Sequence, residues 1–132
     1  MTGAALAVIG TDTGVGKTTV TEALLLGLWQ RGIAAAGWKP VETGLAEGTL
    51  DPASDGARLS RASGLPLSRC LGAALALPAA PLAAARAAET PIDLEYLEQQ
   101  FRGLRQDHSM VLVKGAGGLC VPFSEGRLWA DV

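Results

Sequence analysis

The sequence has few of the features that mark secreted, metal-chelating or membrane proteins. Its two cysteines, Cys70 and Cys120, lie far apart and lack the spacing of metal ligands, so we expect unpaired thiols in a reducing compartment. No uninterrupted apolar run approaches the roughly 20 residues needed to cross a bilayer, and no basic region with a removable apolar stretch opens the chain. We therefore expect a soluble cytoplasmic protein without a membrane partner.

The chain also lacks an excess of basic residues. Eleven lysines and arginines stand against thirteen aspartates and glutamates, which gives a net charge near −2. Neither a nucleic acid nor an anionic membrane surface is therefore an expected partner, and small polyanions must be bound by local geometry. The 132 residues, 48% of them hydrophobic, are enough for one packed domain over residues 1–132.

A segment rich in glycine near the N-terminus has the composition of a phosphate-binding loop. Residues 10–19 read GTDTGVGKTT and follow an apolar run at residues 4–9. Glycines let consecutive N–H groups turn toward an anion, and the helix that follows adds the positive end of its dipole. Lys17 supplies an ammonium for the outer phosphates, and Thr18 a hydroxyl for a magnesium ion. Thr11 occupies the position of the motif's first glycine, so the loop is a variant; an ordinary strand-to-helix turn is the alternative.

Apolar periodicity and helix breakers predict alternating strands and helices. The predicted strands are a buried strand at residues 4–9, a second at residues 33–41 and a third at residues 110–113. The predicted helices are residues 18–31 with Gly32 as the stop, residues 54–62 capped by Ser54, a short helix from Pro81, and residues 92–106. The predicted buried face of the first helix consists of Val20, Leu24, Leu25 and Leu28. The predicted connections are residues 42–53 and 71–80, and residues 119–132 show no obvious closing element.

Two of these strands place chemically active residues at their carboxyl ends. The second strand places Lys39 beside the phosphate loop, because the carboxyl ends of parallel strands meet at one edge of a sheet. The third strand leads into Lys114 and the glycines of residues 115–118, whose amides can approach a nucleotide or a substrate closely. A flexible turn is the alternative there. Asp55, in the first turn of its helix, either belongs to this site or complements the helix dipole.

Four segments together resemble dethiobiotin synthetase, and their order and spacing agree with that family. They are residues 10–18 (GTDTGVGKT), residues 37–44 (GWKPVETG), Ser54 with Asp55, and residues 113–118 (VKGAGG). The Thr-Asp-Thr lead-in combined with Lys-Pro-Val is the most particular part, because phosphate loops alone are common. The resemblance implies an α/β protein with a three-layer P-loop NTPase-like fold, in which helices flank a mostly parallel sheet that is incomplete at the C-terminus.

The resemblance also implies an activity, that of an ATP-dependent cyclo-ligase of biotin synthesis. Such an enzyme joins 7,8-diaminononanoate and CO₂ into the ureido ring of dethiobiotin. One amine forms a carbamate with CO₂, the carbamate oxygen attacks the γ-phosphoryl group of ATP, and the second amine displaces phosphate from the mixed anhydride. Mg²⁺ is the implied cofactor and a homodimer the implied assembly.

Individual residues receive roles from the same resemblance. The catalytic residues would be Lys39, Lys17 and Thr13, and the substrate-binding residues Thr13, Lys39 and Thr43. The nucleotide-binding residues would be Gly14, Val15, Gly16, Lys17, Thr18, Thr19, Asp55, Lys114, Gly115, Ala116 and Gly117. The metal-binding residues would be Thr18 and Asp55. Lys39 would hold the carbamate, where a second cation reduces the repulsion between that anion and the triphosphate.

The chain departs from the family at Lys114, where the family has a glutamate that serves the metal. A protonated lysine cannot bind magnesium, so a lysine that points into the site competes with the ion for one place. A lysine that swings into solvent is the alternative. The family also continues beyond residue 132, with its adenine-recognition loops, its pocket for the carboxylate tail of the substrate and much of its dimer interface.

Two other functions are open on the sequence. A switch ATPase of the partitioning or nitrogenase-iron-protein kind has the same strand, loop and helix, but Asp12 occupies the position of the signature lysine of that group. An inactive nucleotide-binding or interaction domain derived from the synthetase is favoured by Lys114 and by the short chain. Turnover of diaminononanoate with bicarbonate and ATP distinguishes the synthetase from both.

Overall fold

The computed structural model describes residues 2–45 and 51–132, in which strands alternate with helices. The strands are β1 (Ala4–Val8), β2 (Ala35–Thr43), β3 (Leu71–Leu75), β4 (Met110–Lys114), β5 (Pro122–Ser124) and β6 (Arg127–Leu128). The helices are α1 (Lys17–Gln30), α2 (Asp55–Ser63), α3 (Leu67–Cys70), α4 (Pro81–Ala87) and α5 (Leu94–Asp107), and a 3₁₀ turn (Trp129–Asp131) follows β6.

Four of the strands form one parallel sheet in the order β1-β4-β2-β3. Parallel neighbours need a crossover connection, and helices supply it here. Val8 of β1 pairs with Lys114 of β4, and Trp38 of β2 pairs with Val113 of β4. The carboxyl ends of β1 and β4 therefore lie side by side, next to the middle of β2, which continues to Thr43. The glycine loop follows β1 at this level.

Helices cover both faces of this sheet, which makes three layers. On one face, Leu25 of α1 and Leu59 of α2 form an apolar cluster with Leu112 of β4. On the other face, α4 and α5 pack against β2, and Trp38 stacks on Phe101 with ring centroids 5.2 Å apart. The predicted α/β fold class, with a mostly parallel sheet between helices, is confirmed.

Local sequence signals determine the helix ends. α1 begins directly after Gly16 and is followed by Gly32, as predicted. Ser54 caps α2, as predicted, by accepting a backbone N–H at 3.3 Å. α5 begins later than the predicted residue 92, because the side chain of Asp93 accepts a backbone N–H at 2.9 Å and so provides the cap.

Two predictions about strands were wrong. β2 extends through Glu42 and Thr43, which the composition had placed in a loop, and it begins at Ala35. The alanine-rich run before Pro81, predicted as a connection, contains β3. Its backbone pairs with the free edge of β2 in parallel, which needs no alternation of apolar side chains. Residues 46–50 of the predicted loop lie outside the described residues.

The C-terminal stretch, which showed no obvious closing element, forms the antiparallel hairpin β5–β6. Phe123 is fully buried and Trp129 nearly so, with ring centroids 5.3 Å apart. The backbone N–H of Trp129 donates to the carbonyl of Val121 at 2.8 Å. Aromatic burial and this hydrogen bond hold the hairpin against the α4 and α5 side of the sheet.

The first strand and the first helix are more exposed than predicted. On α1, Leu25 is buried and Leu28 partly buried, but Val20 and Leu24 are exposed. On β1, four of the five residues are exposed. This strand occupies the edge of the sheet, so among the described residues only β4 pairs with it.

Two expectations from composition can be compared with the structure. Cys70 is buried, Cys120 is exposed, and both are free thiols, as predicted. Within the ranges 2–45 and 51–132, no helix is both long enough and apolar enough to cross a membrane.

Candidate phosphate and nucleotide site

The loop between β1 and α1 has the backbone conformation that anion binding needs. Gly14 and Gly16 have φ angles of 74° and 105°, in the left-handed region that favours glycine. The carbonyl of Gly16 accepts a helical hydrogen bond from the Val20 N–H at 3.0 Å. The helix therefore starts within the loop, and its unpaired N–H groups and positive dipole end are available to an anion.

All three lysines of the sequence lie beside this loop. Lys17, Lys39 and Lys114 are only 6%, 3% and 7% exposed. Lys17 Nζ donates to the carbonyl of Asp12 at 2.5 Å. Lys39 Nζ donates to Asp55 Oδ2 at 2.9 Å, and Lys114 Nζ donates to the same oxygen. Three ammonium groups near one carboxylate give this site a positive charge, although the chain is acidic overall.

The strand register explains why two of these lysines meet. Because Trp38 pairs with Val113, the next residues along the two strands, Lys39 and Lys114, are adjacent at the carboxyl edge of the sheet. Lys39 Nζ also donates to the carbonyl of Gly115 at 3.2 Å. Lys39 therefore lies in the middle of β2 and not, as we had predicted, at its carboxyl end, and it binds this strand to the start of the second glycine loop.

Asp55 connects the first glycine loop with the middle of β2 and the end of β4. Thr18 Oγ1 donates to Asp55 Oδ1 at 2.5 Å, and the other carboxylate oxygen accepts from Lys39 and Lys114. Each oxygen of this carboxylate therefore has at least one donor. Asp55 belongs to the cluster rather than only complementing the dipole of α2.

Glu42 is a residue of this region that our sequence reasoning missed. Its carboxylate oxygens accept the backbone N–H groups of Asp55 at 2.6 Å and of Gly56 at 2.8 Å, so it holds the first turn of α2 against the end of β2. Glu42 precedes Asp55 by 13 residues, so no local signal indicated this contact, and we assigned Glu42 to a loop. Arg58, which is ion-paired with Glu22 at 2.5 Å, was also missed.

The ionisation of the cluster follows from its geometry. Partial burial alone would raise the pKa of Asp55, but the ammonium of Lys39 and the hydrogen bonds from Lys114 and Thr18 hold it well below its usual range. Burial and the charge of Lys114 lower the pKa of Lys39 to about 8, against the opposing effect of Asp55. Burial, followed by the charge of Lys114, also lowers the pKa of Lys17.

A cavity of about 240 Å³ lies at this edge of the sheet. Residues of the first glycine loop and α1 that line it are Thr13, Gly14, Gly16, Lys17, Thr18 and Thr19, and the other lining residues are Arg58, Lys114 and Gly117. The structure therefore brings most of the expected phosphate-loop residues together with residues from the end of β4 and from α2.

Other residues of the expected set lie outside the cavity wall. Lys39 and Asp55 are connected to it through Lys114 and Thr18. Thr43 ends β2 four residues beyond Lys39, and the side chain of Val15 is exposed. The remaining two expected residues, Gly115 and Ala116, belong to the second glycine loop before Gly117.

The donor set at this site does not fit a magnesium ion. Mg²⁺ takes oxygen ligands in near-ideal octahedral geometry. Thr18 and Asp55 offer such oxygens, but the carboxylate is engaged by Thr18, Lys39 and Lys114, and the ammonium of Lys114 stands next to the same oxygens. Over the part of the chain that the structure describes, no group of three histidine, cysteine or acidic residues is placed to hold a metal.

Comparison with known proteins identifies the class to which this fold and loop belong. A family model described as an AAA domain matches residues 4–132, and the chain belongs to that family. Curated relatives include ATP-dependent dethiobiotin synthetases of Anaeromyxobacter dehalogenans strain 2CP-C, 43% identical over 129 residues, and of Aquifex aeolicus strain VF5, 36% identical over 127 residues. Each alignment covers 96% of this chain and 56% of the relative.

A further relative carries a different name. The biotin biosynthesis bifunctional protein of Bordetella avium strain 197N is 43% identical over 127 residues, which are 95% of this chain and 24% of that protein. The resemblance to dethiobiotin synthetase that the motifs indicated is confirmed by these relatives. The chain spans about half the length of the curated synthetases that it matches.

Proposed function

We propose that this chain carries the ATP-binding part of a dethiobiotin synthetase, which forms the ureido ring from 7,8-diaminononanoate, CO₂ and ATP. One observation carries the proposal: Lys17 of the glycine loop and Lys39 of β2 are both buried, and Asp55 binds Lys39 and the residue next to Lys17, Thr18. Two cations from separate elements suit a reaction in which two anions, the triphosphate and a carbamate, must meet.

The glycine loop holds the nucleotide in this proposal. The amides of Gly14, Val15 and Gly16 and the start of α1, with Thr19, bind the phosphates, and the ammonium of Lys17 neutralises the γ-phosphoryl oxygens. On the other side of the nucleotide lies the second glycine loop, which consists of Gly115, Ala116 and Gly117. Phosphoryl transfer develops charge on the γ-oxygens, so these groups act by positioning and by electrostatic stabilisation.

The second half of β2 binds the second substrate in this proposal. Lys39 holds the carbamate that one amine forms with CO₂, and Thr13 and Thr43 contact diaminononanoate. The carbamate oxygen bonds to the γ-phosphorus while ADP leaves. The second amine then attacks the carbonyl carbon and phosphate leaves, which closes the ring.

Two side chains of this chain are candidates for contact with a magnesium ion. Thr18 and Asp55 are the oxygen donors through which this chain would contact the ion, and in the family a metal would supply positive charge to the phosphates. We also infer a homodimer and a cytoplasmic location, which sedimentation and cell fractionation can test.

A second candidate function is favoured by Lys114. A lysine at the acidic metal position fits a domain that binds nucleotide but does not transfer phosphate, because a single positive charge stabilises the transition state less than a divalent ion. This candidate predicts that the chain binds ATP without forming dethiobiotin.

Incubation with diaminononanoate, bicarbonate and ATP tests the proposal, with dethiobiotin measured by mass spectrometry and ATP binding by calorimetry. We expect product from the wild-type chain. Lys17→Ala should weaken ATP binding by at least about tenfold, because a charge-assisted hydrogen bond contributes roughly 1.5–3 kcal/mol, and product should disappear. ATP binding without product would support the second candidate, and unchanged turnover by Lys17→Ala would refute the phosphate-loop assignment.

The role of Lys39 has its own test. Lys39→Met removes the charge and keeps most of the apolar stem, so we expect carbamate-dependent ADP release to fall much more than ATP affinity. Equal losses in both assays would place Lys39 on the nucleotide instead.

A further inference from the structure

The side chain of Lys114 is held inside the site rather than in solvent. The residue is only 7% exposed, it lines the cavity beside Thr18, and its Nζ donates to Asp55. β1 and β2 flank β4 at this level, where Val8 pairs with Lys114 itself and Trp38 with the preceding residue. The lysine therefore emerges between two neighbouring strands, and its ammonium is fixed close to the first glycine loop.

The two oxygen donors expected to hold a metal already bind each other and this ammonium. Thr18 donates to one oxygen of Asp55, and Lys39 and Lys114 share the other. A metal ion at this place would have to displace the hydrogen bond of Thr18 and to stand beside two ammonium groups, which repel it. Among residues 2–45 and 51–132, no carboxylate lines the cavity to compensate for this repulsion.

We propose that the ammonium of Lys114 takes the place of the divalent cation, so that the site binds the polyphosphate of a nucleotide without a metal. The inference rests on the proposed nucleotide-binding function. Lysine is a compact cation with three donors and binds phosphate as a point charge. Because it is tethered to β4, it is present at every binding event and is not lost to chelators.

ATP binding in EDTA and in Mg²⁺ tests the inference directly. For the wild-type chain, calorimetry should give dissociation constants that agree within about threefold in the two buffers, because each tenfold change corresponds to 1.4 kcal/mol and the built-in cation is the same in both. Inorganic tripolyphosphate should compete with ATP in EDTA, which would locate the interaction on the phosphates. A loss of tenfold or more in EDTA would overturn the inference and leave the nucleotide-binding function intact.

Lys114→Glu should make ATP binding depend on the metal ion. The substitution restores a carboxylate, so ATP affinity should fall at least about tenfold in EDTA and recover in Mg²⁺. With free Mn²⁺ as the probe and no nucleotide present, the electron paramagnetic resonance signal of the free ion should fall on addition of Lys114→Glu and not on addition of the wild type. If Lys114→Glu bound ATP in EDTA as tightly as the wild type does, Lys114 would not contact phosphate. That result would overturn the inference.

Two further variants control for charge and folding. Arg127→Glu makes the same change in net charge at an exposed position of β6 and should bind ATP as the wild type does in both buffers. Lys114→Gln removes the charge without adding a ligand, so binding should weaken in EDTA and recover less in Mg²⁺. If circular dichroism shows that Lys114→Glu does not fold, the inference is tested by ATP binding to Lys114→Gln and to the wild type in the two buffers. Absence of ATP binding by every form in both buffers would refute this inference and the proposed function together.

Discussion

β1 and β2 have similar sequences but differ in how much of each strand is buried. Both are short apolar runs that precede a chemically active segment, and both were predicted to be buried. Seven of the nine residues of β2 are buried, whereas four of the five residues of β1 are exposed. β2 has a strand on each side and helices on both faces, while β1 stands at the edge with β4 as its neighbour.

The difference shows that an apolar strand is buried by its neighbours and not by its own composition. Parallel sheets are usually covered on both faces, which is why apolar runs of this kind predict buried strands. In this chain the neighbouring elements leave no residue of β2 or β4 exposed, but four of the five residues of β1 are exposed. Stability should therefore be concentrated in the β2–β4 centre, while β1 contributes the loop that follows it.

Two leucines that face each other across strands test this contrast most strongly. Leu112 of β4 is 1% exposed and pairs with Leu6 of β1, which is 46% exposed. Leu112→Ala should lower the free energy of unfolding by about 2–5 kcal/mol, because it leaves a cavity among Leu25, Leu59 and Cys70. Leu6→Ala should cost less than about 1 kcal/mol. Urea unfolding of both variants measures the difference, and similar losses would mean that β1 is covered in solution.

Two glycines give a second, smaller contrast. A Cβ on Gly72 would lie 2.2 Å from the carbonyl oxygen of Pro40 in β2, and a Cβ on Gly3, just before β1, would lie 1.9 Å from that of His108. Gly72→Ala should lower stability by about 1–3 kcal/mol or more, since a packed interior cannot move aside. Gly3→Ala should lower it less, because the chain before an edge strand can shift. Thermal unfolding tests this, and an equal loss from Gly3→Ala would show that the start of β1 is rigid.

The smallest effect concerns the thiols and needs no substitution. Burial raises the pKa of Cys70 to about 11, although Ser63 and Arg69 act in the opposite direction. At pH 8 an alkylating reagent should modify the exposed Cys120 faster than Cys70, whose thiolate is scarce and shielded. Peptide mass spectrometry over time measures both rates. Equal rates at this pH would mean that the apolar cluster around Cys70 opens readily.

The raised pKa of Cys70 also predicts how the stability of the fold changes with pH. The folded state keeps the proton of Cys70 to a higher pH than the unfolded chain, whose thiol has a pKa near 9.0. Stability is therefore unaffected well below pH 9 and falls as the pH rises from about 9 to about 11. Cys70→Ala should remove this part of the pH dependence in urea titrations.

Sequence reasoning anticipated which residues lie close together better than it anticipated the sheet. Lys17 and Thr18 follow from the motif, and Lys39 and Asp55 were expected near them because parallel strands and a helix N-terminus meet at one edge. The position of Glu42 could not be predicted. Its role depends on β2 continuing two residues further than the composition indicated, which brings its carboxylate to the first turn of α2.

β3 could not be predicted for a related reason. The run LGAAL has little apolar periodicity, and it becomes a strand only because β2 offers an unpaired edge with a register that joins Lys39 to Leu71 and Thr43 to Leu75. Backbone hydrogen bonding to a partner strand is a long-range effect that no short window of sequence contains.

What the sequence by itself determined is local: the left-handed glycines of the phosphate loop, the cap of Ser54 and the end of α1 before Gly32 follow from backbone sterics and hydrogen bonds within a few residues. Only the tertiary structure decided which strand is buried and where the lysines go. Lys39 and Lys114 are 75 positions apart, and the β2–β4 register alone brings both ammonium groups onto one oxygen of Asp55. A charge cluster of this kind depends on how distant segments align, so its chemistry was settled by packing.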